Sequence, residues 1–226
     1  MTQEPITIYT YDWLPEFPRG FMRDLRARWT AEEVARPYRV ATFPVRPKSP
    51  AHLDMQPFGQ APVIVDGDLT LFESGAIALH LTKGTPLLPE AKRNEITQWI
   101  LAALNSVEPR LQAWLNAQLA KTIPDFFGPP PSEELEAFLH AGMNSRLAAL
   151  EELMAERIWI LGEFSAADIL LVDVLRPAAG MEALADYPAL TAYVERAEAR
   201  PAFQKALADH MAHWKAADAA MAARGN

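Results

Sequence analysis

Apolar and polar residues alternate with strand periodicity over Ile6-Thr7-Ile8-Tyr9-Thr10-Tyr11, and Tyr38–Phe43 repeats that composition. Between them Phe21, Leu25, Trp29 and Ala31–Val34 mark a helical segment over Gly20–Val34, entered through a loop that carries Pro15 and Pro18. Pro44–Met55 is a loop with room for one helical turn. Two short apolar runs, Val63–Val65 and Leu69–Phe72, then flank Asp66-Gly67, the composition of a hairpin turn. A helix is expected from Glu73 to about Leu81, so the order βαβ-ββα predicts a mixed α/β domain.

From Lys83 the pattern changes. Gly84, Pro86 and Pro89 break up a linker over 83–91, and every later element has a period near 3.6. Ile96, Trp99, Ile100, Ala103, Leu104, Val107, Leu111, Trp114, Leu115 and Leu119 form one stripe that passes through Pro109, where a kink rather than an end is expected. Thr122–Pro131 breaks structure, and Ser132 is placed to cap the next amphipathic helix. Asp168–Ala178, Ala189–Ala199 and Pro201–Ala222 complete an all-helical second domain. Trp99 and Trp114 read as core by spacing, with Phe126-Phe127 as a candidate pocket rim.

Composition narrows the function classes. A net charge of −8 with no basic cluster argues against nucleic-acid binding. No apolar run reaches membrane-spanning length, and Met-Thr-Gln-Glu-Pro at the start lacks a leader pattern, so a cytoplasmic protein without membrane contact is expected. The absence of cysteine removes disulfides, thiolate metal sites and a cysteine nucleophile together, so any thiol chemistry must come from a bound ligand. His210 and His213 sit three apart on the last helix without a further convergent ligand, and read as solvated helix residues rather than a metal site.

Candidate chemistry concentrates in residues 56–77. Pro62 cannot donate a ladder hydrogen bond and belongs at the first residue of its strand, where a cis bond is also accommodated. It would leave the N–H and C=O of Ala61 unpaired and facing outward, an edge for an extended peptide. Glu73 and Ser74 set a carboxylate, a hydroxyl and helix-start N–H groups beside that edge, which suits a ligand with both an amine and a carboxylate. A plain helix cap accounts for the same two residue types.

Gln56-Pro57-Phe58-Gly59-Gln60-Ala61-Pro62-Val63-Ile64, followed by Glu73-Ser74-Gly75-Ala76-Ile77, closely resembles the glutathione-binding half of the cytosolic glutathione transferases. Leu161-Gly162-Glu163-Phe164-Ser165-Ala166-Ala167-Asp168-Ile169 resembles the capping box of that family's helical domain. Physics agrees, since Ser165 as N-cap and Asp168 at N3 can satisfy each other's backbone donors. The resemblance spans nearly the whole chain, of bacterial type and outside the cysteine-using classes. It implies the glutathione transferase fold, with a thioredoxin-like α/β domain over 1–82, the linker 83–91 and an all-α helical bundle over 92–226.

The resemblance also implies a transferase that joins the thiolate of glutathione, its co-substrate, to a small apolar electrophile, with no metal. It implies a homodimer, for which Phe58 is a candidate anchor. Gln60, Ala61, Pro62, Glu73 and Ser74 would hold glutathione. Tyr11 is the first candidate for activating the sulfur, Thr10 the second, with Arg19 as electrostatic support and a helix-start N–H as the alternative. Asp12–Phe17 is an insertion relative to the tyrosine-type pattern. Two rivals stand beside this reading: a non-enzymatic ligand-binding or regulatory protein of the same fold, and a specialised glutathione-dependent lyase, dehalogenase or isomerase.

Overall fold

The computed structural model describes residues 4–224; Met1 to Gln3, part of the stretch considered above for a leader, lie outside that range. The chain divides into two compact units. One runs to Pro89 and resumes at Glu198; the other is Glu90–Ala197.

The first unit is built on a four-stranded sheet in the order β2-β1-β3-β4, with β1 Ile6–Tyr11, β2 Tyr38–Phe43, β3 Val63–Asp66 and β4 Leu69–Phe72. β1 and β2 are parallel and therefore need a crossover, which α1 (Asp24–Glu33) supplies. β3 runs antiparallel to β1 and to β4, and Gly67 at φ 59° makes the tight β3–β4 turn that the Asp-Gly pair announced. Alternation along β1 sends Ile6 and Ile8 into a core with Ala27 and Ala31 of α1, Ile64 of β3, and Ile77 and Leu81 of α3 (Ser74–Thr82). Opposite, Tyr9 stacks on Phe43 with ring centroids 4.8 Å apart. The loop before β3 contains one real helix, α2 (Pro50–Met55), capped by Ser49, whose Oγ accepts from the His52 N–H at 3.2 Å.

In the second unit, α4 (Arg93–Ala102) and α5 (Glu108–Thr122) are joined by a π-turn over Ala103–Val107. The stripe does continue through Pro109. The widened turn absorbs the missing N–H and the ring that would otherwise strike the preceding carbonyl. Ile96, Ile100, Val107, Leu111 and Trp114 are buried, whereas Trp99 is half-buried and Phe126, in the one-turn α6 (Pro124–Phe127), is exposed. Ser132 caps α7 (Glu133–Met154) through the Leu135 N–H at 3.3 Å.

The central element is α8 (Ala166–Ala179), buried on every side from Ala166 to Arg176. Burial of Ile169, Leu170, Leu171, Val172 and Leu175 contributes roughly 2 kcal/mol apiece. Asp168 at its start is a hub as well as a cap. One carboxylate oxygen accepts from Ser165 N–H and O–H (2.8 and 2.9 Å), the other from Ile160 N–H and Tyr193 O–H (both 2.9 Å). α9 (Pro188–Glu198) follows.

The last helix, α10 (Pro201–Arg224), departs from the sequence expectation that 92–226 forms one helical domain. It packs on α1 and groups with the sheet. The reason is chemical: Phe203 meets Trp29 edge-on at 4.9 Å, Arg200 grips Glu33 at 2.6 and 2.7 Å, and buried His210 lies 3.3 Å from buried Asp24.

Candidate functional site

The Ala61–Pro62 peptide is cis and Pro62 is buried where β3 begins. The preceding loop is fixed from within. Buried Gln56 accepts through Oε1 from the N–H groups of Phe58 (2.7 Å) and Gln60 (3.0 Å). His52 meets the Gln60 carbonyl through Nε2 at 2.8 Å, so that nitrogen carries the proton. Its ring is stacked on Phe43 at 4.1 Å. Gly59, at φ 61°, has the stem of Lys48 3.0 Å from where a Cβ would stand, so a side chain there would strain the backbone and displace Lys48. Gln60 itself is exposed and Ala61 half-buried.

α3 opens beside this loop. Glu73 occupies φ 70°, ψ 115°, a region that side-chain-bearing residues rarely adopt, and its side chain is exposed and makes no cap hydrogen bond. Ser74 is the first helical residue, not the cap. It is buried, and its Oγ accepts from Nη1 of buried Arg26 on α1 at 3.1 Å. The plain-cap explanation is thereby corrected: neither side chain caps the helix. The arrangement is a helix N-terminus with a guanidinium behind a hydroxyl, which favours an anion.

Tyr11 ends β1 on the face opposite Ile6 and Ile8, and its hydroxyl binds the loop before β3. It donates to the Gly59 carbonyl at 3.1 Å and accepts from the Lys48 ammonium at 3.3 Å, which also lies 4.4 Å over the ring. Burial pushes the Tyr11 phenol up, and the Ala61 N–H works against that rise. Tyr11 is therefore a protonated donor at neutral pH. Burial, then Arg46, lowers the Lys48 ammonium.

Two other candidates leave the site. Thr10 points with Ile6 and Ile8 into the helix-covered side, is fully buried, and its hydroxyl has no hydrogen-bond partner. Arg19 is spent on structure: its guanidinium binds Asp218 at 2.6 Å through both Nη atoms and donates to the Leu14 carbonyl, so it is not a cation held for a thiolate.

Comparison with known proteins bears on this arrangement. Residues 18–83 match the model of the glutathione S-transferase N-terminal domain, and residues 119–210 that of the glutathione S-transferase C-terminal domain. Glutathione S-transferase 3 of Zea mays is 32% identical over 175 residues, a match that covers 71% of this chain and 76% of the maize protein. The chain belongs to the glutathione S-transferase family. Glutathione S-transferase GstA of Escherichia coli O157:H7 is 29% identical across 68% of this chain and 75% of its own. A Burkholderia graminis glutathione transferase, solved with two glutathione molecules per subunit, superposes with a TM-score of 0.73 at 26% identity, covering 90% of this chain and 88% of that one.

Within this family member, sequence reasoning missed Lys48, His52 and Arg26. The signal for the first two was Ser49-Pro50, a helix-start pair that marks α2 and so fixes Lys48 one residue before the cap. Arg26 had no local signal, because Asp24, Arg26 and Arg28 make α1 look polar although all three are buried. The histidines also differ from the solvated expectation. His210 is fully buried and accepts through Nε2 from the Trp214 indole at 2.8 Å, and half-buried His213 reaches the Tyr11 carbonyl at 3.0 Å. His80 pairs with Asp66 at 2.9 Å, which Arg36 also holds at 2.6 Å, in the β3–β4 turn region.

Proposed function

We propose that this protein is a glutathione transferase that binds glutathione across the Pro62 loop and the start of α3 and passes its thiolate to an apolar electrophile. One observation supports this reading: Val63, the residue after Pro62, pairs with Tyr9 of β1 on one side and with Phe72 of β4 on the other, so the Pro62 edge lies between the end of β1 at Tyr11 and the start of α3, where buried Ser74 is backed by Arg26. Gln60, Ala61 and Pro62 offer the edge for the peptide part of the ligand. Glu73 takes its amine, and Ser74 with the helix-start N–H groups takes its γ-glutamyl carboxylate. Tyr11 turns its hydrogen from the Gly59 carbonyl to the sulfur and favours the ionised form. Apolar electrophile and thiolate held together then react with the entropy of encounter already met.

Assembly as a homodimer follows in the same reading, with Phe58, 70% exposed at the tip of the loop, as the anchor. No described helix is long and apolar enough to cross a membrane. The cytoplasm, where glutathione is kept reduced, is the compartment this chemistry needs.

The test is calorimetry with glutathione on wild type, Ser74→Ala and Glu73→Ala. Each variant should lose roughly 1–3 kcal/mol of binding, the cost of orphaning a charged hydrogen bond. Unchanged affinity in both contradicts the assignment. Tight binding with no turnover over a panel of electrophiles would instead favour a non-enzymatic carrier, the rival supported by the engagement of Tyr11 with Gly59.

A further inference from the structure

The loop between β1 and α1, residues 12–20, extends the ladder only at Asp12, whose N–H donates to the Phe43 carbonyl at 2.9 Å, and holds one turn in which the Arg19 N–H donates to the Glu16 carbonyl at 3.0 Å, while Pro15 and Pro18 remove two of its own donors. Its side-chain anchors come from the far end of the chain. Asp218 on α10 takes both Nη atoms of Arg19, each at 2.6 Å, and its Oδ1 also accepts from the Trp13 indole N–H at 2.9 Å. Arg19 returns to the loop through Nε and Nη2, which donate to the Leu14 carbonyl at 3.1 and 2.6 Å. Its guanidinium also lies 5.8 Å from the centre of the Trp214 ring. His213 donates from Nε2 to the Tyr11 carbonyl at 3.0 Å, and His210 accepts the Gly20 N–H at 3.3 Å. His210, His213, Trp214 and Asp218 recur at helical spacing, so one face of α10 meets the beginning, middle and end of this loop.

We propose that this face of α10 belongs to the active-site apparatus, with Asp218 and His213 as positioning residues that fix the loop and, through the Tyr11 carbonyl, the aim of the phenol at the thiol. The inference rests on the glutathione reading above and adds to it residues some two hundred positions from Tyr11 in sequence. His213 sets the backbone from which the phenol extends. Asp218 closes a bidentate ion pair that holds Trp13 and Leu14, immediately beyond Tyr11, in one geometry. Without these contacts the loop retains its sequence but loses its order, and the Tyr11 side chain samples directions that do not reach the sulfur.

The test compares full-length wild type with Asp218→Asn, His213→Leu and Asp218→Glu, by amide hydrogen exchange, glutathione calorimetry, turnover and the pH midpoint of bound thiolate absorbance. Asp218 is half exposed, so the asparagine variant keeps the fold. Asp209→Asn, which breaks an exposed pair with Lys205 on the same helix, is the control and should match wild type.

In Asp218→Asn and His213→Leu, amides of residues 12–20 should exchange about tenfold faster while β3 and the start of α3 keep their rates. Glutathione affinity should change less than about twofold, turnover should fall about tenfold and the thiolate midpoint should rise. Asp218→Glu should restore all of these in large part. Unchanged loop exchange in both variants overturns the proposal. Faster exchange with wild-type turnover and midpoint overturns it as well, since the loop would then be held for no chemical purpose. A wild type that binds no glutathione is seen in calorimetry before any variant is compared; it refutes the underlying reading and this inference with it.

Discussion

Replacing Asp168 by alanine strips four donors of their acceptor at a residue with no exposed surface. The Ser165 and Tyr193 hydroxyls can turn to find other partners, but the N–H groups of Ile160 and Ser165 are fixed by the backbone. Each orphaned buried donor costs roughly 1–3 kcal/mol, so two of them cost about 4. Part of that returns, because a buried carboxylate is held at a desolvation cost that its removal relieves. A net loss of about 3 kcal/mol results, against about 1 kcal/mol for Ser165→Ala, which removes only the cap. Urea unfolding followed by far-ultraviolet circular dichroism measures both, and glutathione affinity of the folded fraction should not change. Asp168→Ala no more destabilising than Ser165→Ala would refute the hub argument and reduce Asp168 to an ordinary capping residue.

Burial alone would raise the Asp24 carboxyl, but His210 and Arg28 outweigh it and hold it at about 2. A carboxyl lowered on folding contributes stability that is complete above its unfolded value near 3.9 and is lost as pH falls toward about 2. Unfolding free energy of wild type should therefore drop across that interval by roughly 2 kcal/mol more than that of Asp24→Asn, and parallel curves would contradict the assignment. Phe58→Asp should convert a dimer to a species near 25.1 kDa by light scattering, whereas a wild type already at that mass would remove Phe58 as an anchor.

The sheet and its hairpin were legible because their signals are local: alternation in Ile6–Tyr11, Asp-Gly at the turn, a proline at the strand start. Pro62, Glu73 and Ser74 stood out as candidates in the same way, since a proline-opened strand and a helix start each leave a pattern within a few residues. What the pattern could not carry was the chemistry behind them. Ser74 looks like a cap in sequence and becomes a guanidinium-backed hydroxyl only because α1 brings Arg26 to it. Arg19 looks like a spare cation until Asp218, nearly two hundred residues later, consumes it. The placement of α10 was unreadable for the same reason: its amphipathic pattern says that one face is buried, not which partner buries it. Asp168 was right in kind and too small in scale, for the capping box is local while Tyr193 and Ile160 are not.

If the proposal holds, this site keeps glutathione as a thiolate next to Tyr11. Ultraviolet thiolate absorbance of glutathione bound to wild type and to Tyr11→Phe, titrated against pH, tests it most directly. In wild type the midpoint should lie at least about one unit below the value near 8.5 of an unperturbed thiol, corresponding to about 1.4 kcal/mol in favour of the charged form, and Tyr11→Phe should move it back upward. Bound glutathione that titrates in wild type like the free thiol would contradict the account.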